Sequence, residues 1–172
     1  MGCESSVVTM STDRHARFEG LLAEHAGIVG KIAGSYARGL EDRRDLQQEI
    51  ATQLWRAFDR YDERLGKFST WMYRIALNVA ISHLRRARMF EPLADDLVAP
   101  AVDRADLDDR ADALYACIQA FAPLERALIL LYLEDRSYGE IAEVLGISEA
   151  NVATKLTRLR SRLREQLTGA SS

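Results

Sequence analysis

Apolar residues recur at helical spacing along most of the chain, and no stretch shows the strict alternation that is typical of a strand. One stripe runs from Phe18 to Tyr36. A second, within 42–61, places Leu46, Ile50 and Leu54 on one side of a helix. The pattern predicts an all-α fold.

The apolar pattern is interrupted once, by a segment that is acidic and contains proline. Residues 91–112 carry eight acidic and two basic side chains. Such a composition indicates a linker. We therefore predict two small helical domains joined by a flexible acidic linker: a disordered leader at 1–12, a domain at 13–90, the linker at 91–110 and a second domain at 111–168.

The second domain ends in a helical hairpin. Ser137 and Glu140 form the S-x-x-E pattern of a capping box, and Gly146 stands where the first helix must stop. Ser148 can cap the next helix. The buried side of that helix is predicted from apolar residues at spacings of four, three and four: Val152, Leu156, Leu159 and Leu163.

Basic residues follow that buried stripe, between Lys155 and Arg164, with no acidic residue among them. A helix with a small polar first turn and a basic body suits a DNA major groove flanked by phosphates. The alternative is an ordinary helical hairpin whose arginines form a solvated face. The combination of capped helices, glycine turn and basic stripe favours DNA.

A second candidate nucleic-acid surface lies in the first domain. The loop 61–71 carries aromatic and basic residues, and the helix after it ends in Arg85, Arg86 and Arg88. Aromatic rings beside cations are what single-stranded bases require. The alternative assigns Phe68 and Trp71 to the core and the arginines to a helix C-terminus, and spacing alone leaves both open.

Charge and composition narrow the function further. The net charge of −3 argues against nucleic acid, but the acidity is concentrated in the linker. The two cysteines have neither a disulfide framework nor zinc-site spacing, which indicates a reducing compartment. We find no catalytic pair, phosphate-binding glycine loop, metal cluster or signal peptide, and no apolar run long enough to cross a membrane. An enzyme is not indicated, and no cofactor or metal is expected.

Three motifs in order resemble one family: Asp45-Leu-Gln-Gln-Glu49, Phe68-Ser-Thr-Trp-Met-Tyr-Arg-Ile-Ala-Leu-Asn78 and Ser137-Tyr-Gly-Glu-Ile-Ala-Glu-Val-Leu-Gly-Ile-Ser148. They are similar to those of bacterial extracytoplasmic-function (ECF) sigma factors of the sigma-70 family. The resemblance implies that the first domain is region 2 and the second is region 4. It implies a cytoplasmic factor that directs promoter-specific transcription, without inserting into a membrane.

The resemblance also implies partners and sites. Core RNA polymerase would bind region 2 through its β′ clamp helices and region 4 through its β flap, and an anti-sigma factor is a further candidate partner. The polymerase-binding residues would be Asp45, Gln48, Glu49 and Arg56. The −10 element would meet Tyr61, Lys67, Phe68, Trp71, Arg74, Asn78 and Arg85. The −35 element would meet Ser148, Asn151, Thr154, Lys155, Thr157, Arg158 and Arg162.

The chain departs from the family at Ala153, near which many members carry a basic residue on the recognition face. Direct readout must then fall on four side chains: Asn151, Thr154, Thr157 and Arg158. Asparagine prefers adenine and threonine can contact a thymine methyl group, so the −35 sequence cannot be carried over from relatives. The remaining alternatives are a stand-alone helix-turn-helix regulator, which leaves the first domain without a role, and a helical enzyme or adaptor that binds no DNA.

Overall fold

The computed structural model describes residues 4–90 and 109–169, and within them it contains eight α-helices and no strand. The helices are α1 (Glu4–Glu24), α2 (Ala26–Tyr36), α3 (Gly39–Ala57), α4 (Phe68–Phe90), α5 (Asp109–Gln119), α6 (Pro123–Leu133), α7 (Tyr138–Leu145) and α8 (Glu149–Gly169). A short 3-10 helix, Phe58–Arg60, follows α3. The all-α prediction is confirmed. We call α1–α4 the N-terminal unit and α5–α8 the C-terminal unit.

The N-terminal unit is built on the packing of α2, α3 and α4 against one another. The predicted stripe Leu46, Ile50 and Leu54 is fully buried on α3. It shares a core with residues of α4 such as Met72 and Ala76, which are also fully buried. Spacing of three and four residues therefore identified the inward faces correctly.

The start of the chain differs from its prediction as a disordered leader. Residues 4–12 belong to α1, while residues 1–3 lie outside the described part. The segment 4–19 contains neither glycine nor proline, so nothing in it interrupts a helix. The stripe beginning at Phe18 is also divided. The helix is interrupted at His25, between α1 and α2. The backbone of His25 is non-helical, and its Nδ1 lies 3.0 Å from the carbonyl oxygen of Leu21.

The C-terminal unit contains the predicted hairpin with its local signals in place. Ser137 Oγ accepts a hydrogen bond from the Glu140 backbone N–H at 3.1 Å, and the Glu140 carboxylate accepts one from the Ser137 N–H at 3.0 Å. Gly146 adopts φ 67°, a left-handed conformation that ends α7. The residues Val152, Leu156 and Leu159 are buried on α8 as expected.

The two units pack on each other and share one apolar core, rather than standing apart on a tether. Helices α2 and α4 contact α6, α2 also contacts α5, and α4 also contacts α7. The units approach closely at Gly34 of α2, where an added Cβ would lie 3.1 Å from the ring of Tyr115. At Gly27 and Gly30 of the same helix, an added Cβ would have no atom within 4 Å. The linker prediction concerns residues that are mostly outside the described part, 91–108, and α5 begins at Asp109.

Candidate nucleic-acid and polymerase interfaces

The first candidate surface is the outer face of α8. Ser148 Oγ accepts a hydrogen bond from the Asn151 N–H at 3.2 Å, so the predicted cap forms. Residues of the next two turns that point away from the buried stripe are exposed: Asn151, Thr154, Thr157 and Arg158. The sequence-predicted readout residues thus share one accessible helix face, with the exposed Arg160 and Arg164 beyond them.

Hydrogen bonds within the C-terminal unit already occupy several of these side chains. The hydroxyls of Thr154 and Thr157 donate to carbonyls of their own helix at 3.0 and 2.9 Å. The guanidinium of Arg162 donates to Glu125 at 2.8 Å and lies 4.9 Å from the ring centroid of Phe121. Lys155 is half-buried. Arg158, with no such contact in the described residues, is the cation best placed to reach DNA directly.

The second candidate surface surrounds the start of α4. The rings of Tyr61, Phe68 and Trp71 lie 5.2–5.3 Å from one another. Phe68 is only 5% exposed, whereas Tyr61 and Trp71 are half-buried. Phe68 therefore belongs to the core in this structure, and the two partly exposed rings rest on it. Burial raises the pKa of the Tyr61 hydroxyl, with a smaller contribution from Glu63, so the phenol stays neutral at physiological pH.

Cations of the same surface are exposed along α4 and the loop before it: Lys67, Arg74 and Arg85, with Asn78 beside them. Two of these cations contact α7. The Lys67 ammonium lies 3.1 Å from the Glu140 carboxylate, and the Arg74 guanidinium donates to the Glu143 carbonyl oxygen at 2.9 Å. The aromatic rings and the cations therefore lie on one surface, and one end of that surface contacts α7 of the C-terminal unit.

The predicted polymerase face lies on α3. Asp45, Gln48 and Arg56 are exposed, as expected for a docking surface. Glu49 is different, because it accepts hydrogen bonds from Arg86 at 2.5 Å and lies 3.2 Å from Nδ1 of His83. Burial raises the pKa of Glu49, but the contacts with Arg86 and His83 outweigh it, and the net pKa lies below its usual range.

Comparison with known proteins identifies the family of this chain. The family model described as Sigma-70 region 2 matches residues 21–89, and the one described as Sigma-70, region 4 matches residues 111–163. The chain belongs to the sigma-70 family. The activity of that family is promoter-specific transcription initiation, and the matched regions coincide with the two units of the fold.

Curated relatives place this sigma factor in the ECF group. It is 32% identical over 162 residues to the ECF RNA polymerase sigma factor SigE of Mycolicibacterium smegmatis, covering 88% of this chain and 62% of SigE. It is 28% identical over 154 residues to SigM of Mycobacterium tuberculosis, covering 88% of this chain and 76% of SigM. The chain thus spans somewhat less than two thirds of the length of SigE.

Solved structures share the fold. CnrH, described in complex with the cytosolic domain of CnrY, superposes with a TM-score of 0.67 at 23% identity, over 90% of both chains. The sigma factor RpoE of Bartonella quintana, described in complex with the anti-sigma factor NepR, superposes with a TM-score of 0.69 at 21% identity. That match covers 88% of this chain and 97% of RpoE.

Sequence reasoning missed the polar residues that join the sigma factor's two units. Arg126 is 5% exposed and donates to backbone carbonyls of Ser35, Gln119 and Phe121. The Tyr36 hydroxyl donates to the Pro123 carbonyl at 2.6 Å. One signal could have pointed to Arg126: it opens the apolar run 127–131, and a helix that is apolar on all sides is buried on all sides.

The described residues also bear on metals and membranes. Within 4–90 and 109–169 no group of three or more histidine, cysteine, aspartate or glutamate side chains is placed to hold a metal ion. In the same part of the sigma factor, every helix is too short or too polar to cross a membrane.

Proposed function

We propose that this sigma factor binds core RNA polymerase and directs it to its promoters, with the N-terminal unit holding the −10 element and α8 reading the −35 element. One observation carries the proposal: α8 is capped at Ser148 and presents a continuous exposed face from Asn151 to Arg158. The helix rests on a buried stripe, so that face is held rigidly enough to enter a major groove.

Roles on α8 follow from side-chain chemistry. Arg158 suits a guanine or an adjacent phosphate, and Asn151 suits an adenine. Thr154 and Thr157 use their hydroxyl protons on their own helix, which leaves their methyl groups for contact with thymine. Ser148, Lys155 and Arg162 contact the DNA phosphate backbone and so position the protein on the duplex. Arg162 must first release its contact with Glu125.

Roles around α4 follow from the aromatic cluster. Tyr61 and Trp71 are the partly exposed rings on which unpaired bases of the −10 element stack, and Phe68 supports them from the core. The opened strand runs past exposed side chains of the loop and of α4: Lys67, Arg74, Asn78 and Arg85.

Polymerase binding is assigned to α3 and to the C-terminal unit. Asp45, Gln48 and Arg56 present an accessible polar face for the β′ clamp helices, and Glu49 joins it at the edge of its pair with Arg86. The C-terminal unit meets the β flap. The protein acts in the cytoplasm and catalyses no reaction of its own, because the polymerase performs the chemistry. The complex of RpoE with the anti-sigma factor NepR makes an anti-sigma factor a further candidate partner.

In vitro transcription with purified core polymerase and a promoter library tests this function. We expect transcripts that depend on the protein and share one pair of −35 and −10 sequences. Core polymerase alone is the control. Duplex binding without any polymerase association would favour a stand-alone helix-turn-helix regulator, and absence of both would overturn DNA-directed function altogether.

A further inference from the structure

Helix α1 lies against the end of α3 and the 3-10 helix that follows it. Phe18 of α1 is buried, and its ring centroid lies 5.2 Å from that of Trp55 and 5.1 Å from that of Phe58. The family model for region 2 begins at residue 21, so this part of α1 lies outside the match. The functional residues assigned above include none from α1.

Two arginines of α1 form ion pairs with acidic residues on either side of Tyr61. Arg14 Nε lies 2.7 Å from a carboxylate oxygen of Asp59, and the Arg17 guanidinium donates to the Glu63 carboxylate at 2.9 Å. Arg14 and Arg17 are three positions apart, which places them on one face of α1. The segment 59–63 is therefore held to α1 both before and after Tyr61.

Arg14 is itself held in place by α3. Its guanidinium carbon lies 4.0 Å from the ring centroid of Trp55, and the guanidinium donates to the Trp55 carbonyl oxygen at 3.2 Å. That carbonyl belongs to the last turn of α3, the negative end of the helix dipole, where a cation is stabilised. Arg14 therefore links three elements: α1, α3 and the segment 59–63.

The chain that follows Tyr61 buries few side chains. Residues 63–67 are exposed, and the Leu65 N–H donates to the Asp62 carbonyl within the loop itself, at 3.0 Å. A segment with few apolar contacts has a low local stability. Exposed ion pairs add little to the stability of a whole protein, but even a small contribution can decide which position such a segment adopts.

We propose that Arg14 and Arg17 are positioning residues for recognition of the −10 element. They hold the segment 59–63 so that the Tyr61 ring stays 5.2 Å from Trp71, where the two rings can receive unpaired bases. The proposal rests on the function proposed above. Neither arginine needs to touch DNA in this role, because each acts through its carboxylate partner.

A direct contact of the two arginines with DNA predicts the opposite effect of removing their acidic partners. Asp59→Asn with Glu63→Gln would free both guanidinium groups and remove two negative charges near the −10 surface. Direct contact would then strengthen DNA binding. Positioning predicts a loss, because the segment 59–63 is released from α1. The sign of the change therefore separates the two roles.

The first readout is promoter opening by the holoenzyme. Core polymerase is combined with each full-length variant on one promoter recovered from the library, with 2-aminopurine in the −10 element to report strand separation. We expect Asp59→Asn with Glu63→Gln to slow opening about threefold or more, as two exposed ion pairs are lost. The control Glu19→Gln with Glu24→Gln removes the same charge from exposed sites of α1 and should open the promoter as the parent does. Faster or unchanged opening in the first variant would overturn the proposal.

Affinity for core polymerase and for a −35 duplex shows whether the loss is confined to the −10 element. Both affinities should stay within twofold of the parent's in Asp59→Asn with Glu63→Gln, because the exposed faces of α3 and α8 are unchanged. The side chains of Asp59 and Glu63 are 69% and 71% exposed, so thermal melting should hardly change. Parallel losses in all three measurements would indicate general destabilisation and contradict positioning.

Hydrogen exchange of the free full-length chain tests the contact without DNA. Amides within 59–66 should exchange faster in Asp59→Asn with Glu63→Gln than in the parent, while those of α4 and α8 keep the parent's rates. Unchanged exchange within 59–66 would show that α1 does not restrain the segment, and the proposal would fail.

An exchange of charges provides a rescue. Arg17→Glu alone places two carboxylates at one contact and should slow promoter opening more than Glu63→Gln does. Arg17→Glu with Glu63→Arg restores a pair of opposite charges at the same positions, so opening should return to within twofold of the parent's rate. An exchanged variant that stays as slow as Arg17→Glu would mean that Arg17 does not act through Glu63.

Transcription by the parent separates this proposal from the function on which it rests. Promoter-dependent transcription together with unchanged opening in Asp59→Asn with Glu63→Gln would refute positioning and leave the sigma function standing. Absence of transcription by the parent would refute the function, while hydrogen exchange would still decide whether α1 holds the segment 59–63.

Discussion

The two candidate DNA surfaces of this sigma factor are built in opposite ways. The α8 face is one capped helix on a buried stripe, and its residues Asn151, Thr154, Thr157 and Arg158 are exposed. The candidate −10 surface combines a loop, an aromatic cluster and a helix start, and part of it contacts the other unit. Duplex DNA requires only a rigid protruding helix, whereas a single strand requires a pocket of rings and cations. The second kind of surface can also accommodate carboxylates of the protein itself.

The largest expected effect concerns Arg126, the buried residue that joins the two units. Arg126→Ala would leave buried carbonyls of both units without a donor, and we expect the free energy of unfolding to fall by about 3 kcal/mol or more. Arg164→Ala, a change at an exposed arginine of α8, should cost no more than about 0.5 kcal/mol. Urea unfolding of the full chain measures both, and equal small losses would show that the units are not joined through Arg126.

The next effect tests whether α8 reads bases. Arg158→Ala should weaken binding to a preferred −35 duplex by about 1–3 kcal/mol if the guanidinium contacts a guanine edge. The loss should be concentrated at one base pair of the −35 element, as measured with single-position variants of the duplex. Equal weakening on every sequence would instead make Arg158 a phosphate contact.

A third effect concerns the candidate polymerase face on α3, whose residues Asp45, Gln48 and Arg56 are exposed. Asp45→Lys with Gln48→Lys should reduce core polymerase affinity by about tenfold or more, because it reverses one charge and adds a second positive charge on the same face. Both residues are exposed, so thermal melting should hardly change. Glu49 is left intact because a lysine there would face Arg86 and His83 and destabilise the N-terminal unit itself. Retention of polymerase binding within twofold would place the interface elsewhere.

The smallest effect is a pH dependence at Glu140, where α7 contacts Lys67. Hydrogen bonds from the Ser137 N–H and from Lys67 hold the pKa of Glu140 below its ordinary value of 4.5, against an opposing effect of burial. A depressed folded pKa contributes stability above pH 4.5 that is lost as pH falls through the lower folded value. Glu140→Gln should therefore lose less unfolding free energy than the parent between about pH 5 and pH 3. Parallel pH profiles would show that neither the Ser137 N–H nor Lys67 lowers the pKa of Glu140 in solution.

Local signals made one half of this comparison predictable. The capping box at Ser137, the turn at Gly146 and the stripe from Val152 to Leu159 each act within a few residues, and the structure contains all three. The same holds for the inward faces of α3 and α4. The individual contacts of the site residues with DNA and polymerase stay predictions.

The other half could not be predicted because it depends on residues far apart in the chain. Arg126 and Ser35 are 91 positions apart, and Arg74 and Glu143 are 69 apart. No local pattern predicts such pairs, so the prediction of two domains joined by a flexible linker included no contact between them. The contacts of Glu49 were likewise not predicted, since its partners His83 and Arg86 lie on another helix.

The burial of α6 limits how this protein can be recombined with its relatives. Exchanging whole C-terminal units between sigma factors is an obvious way to graft a new −35 preference, and it assumes that each unit is a self-sufficient module. Here α6 packs against α2, and Arg126 of α6 donates to the Ser35 carbonyl of α2. A graft that keeps α8 alone, with residues 149–165 replaced on the native α6 and α7, preserves that junction. Chimeras cut in the linker would instead be expected to express as aggregation-prone chains unless α2 is exchanged with them.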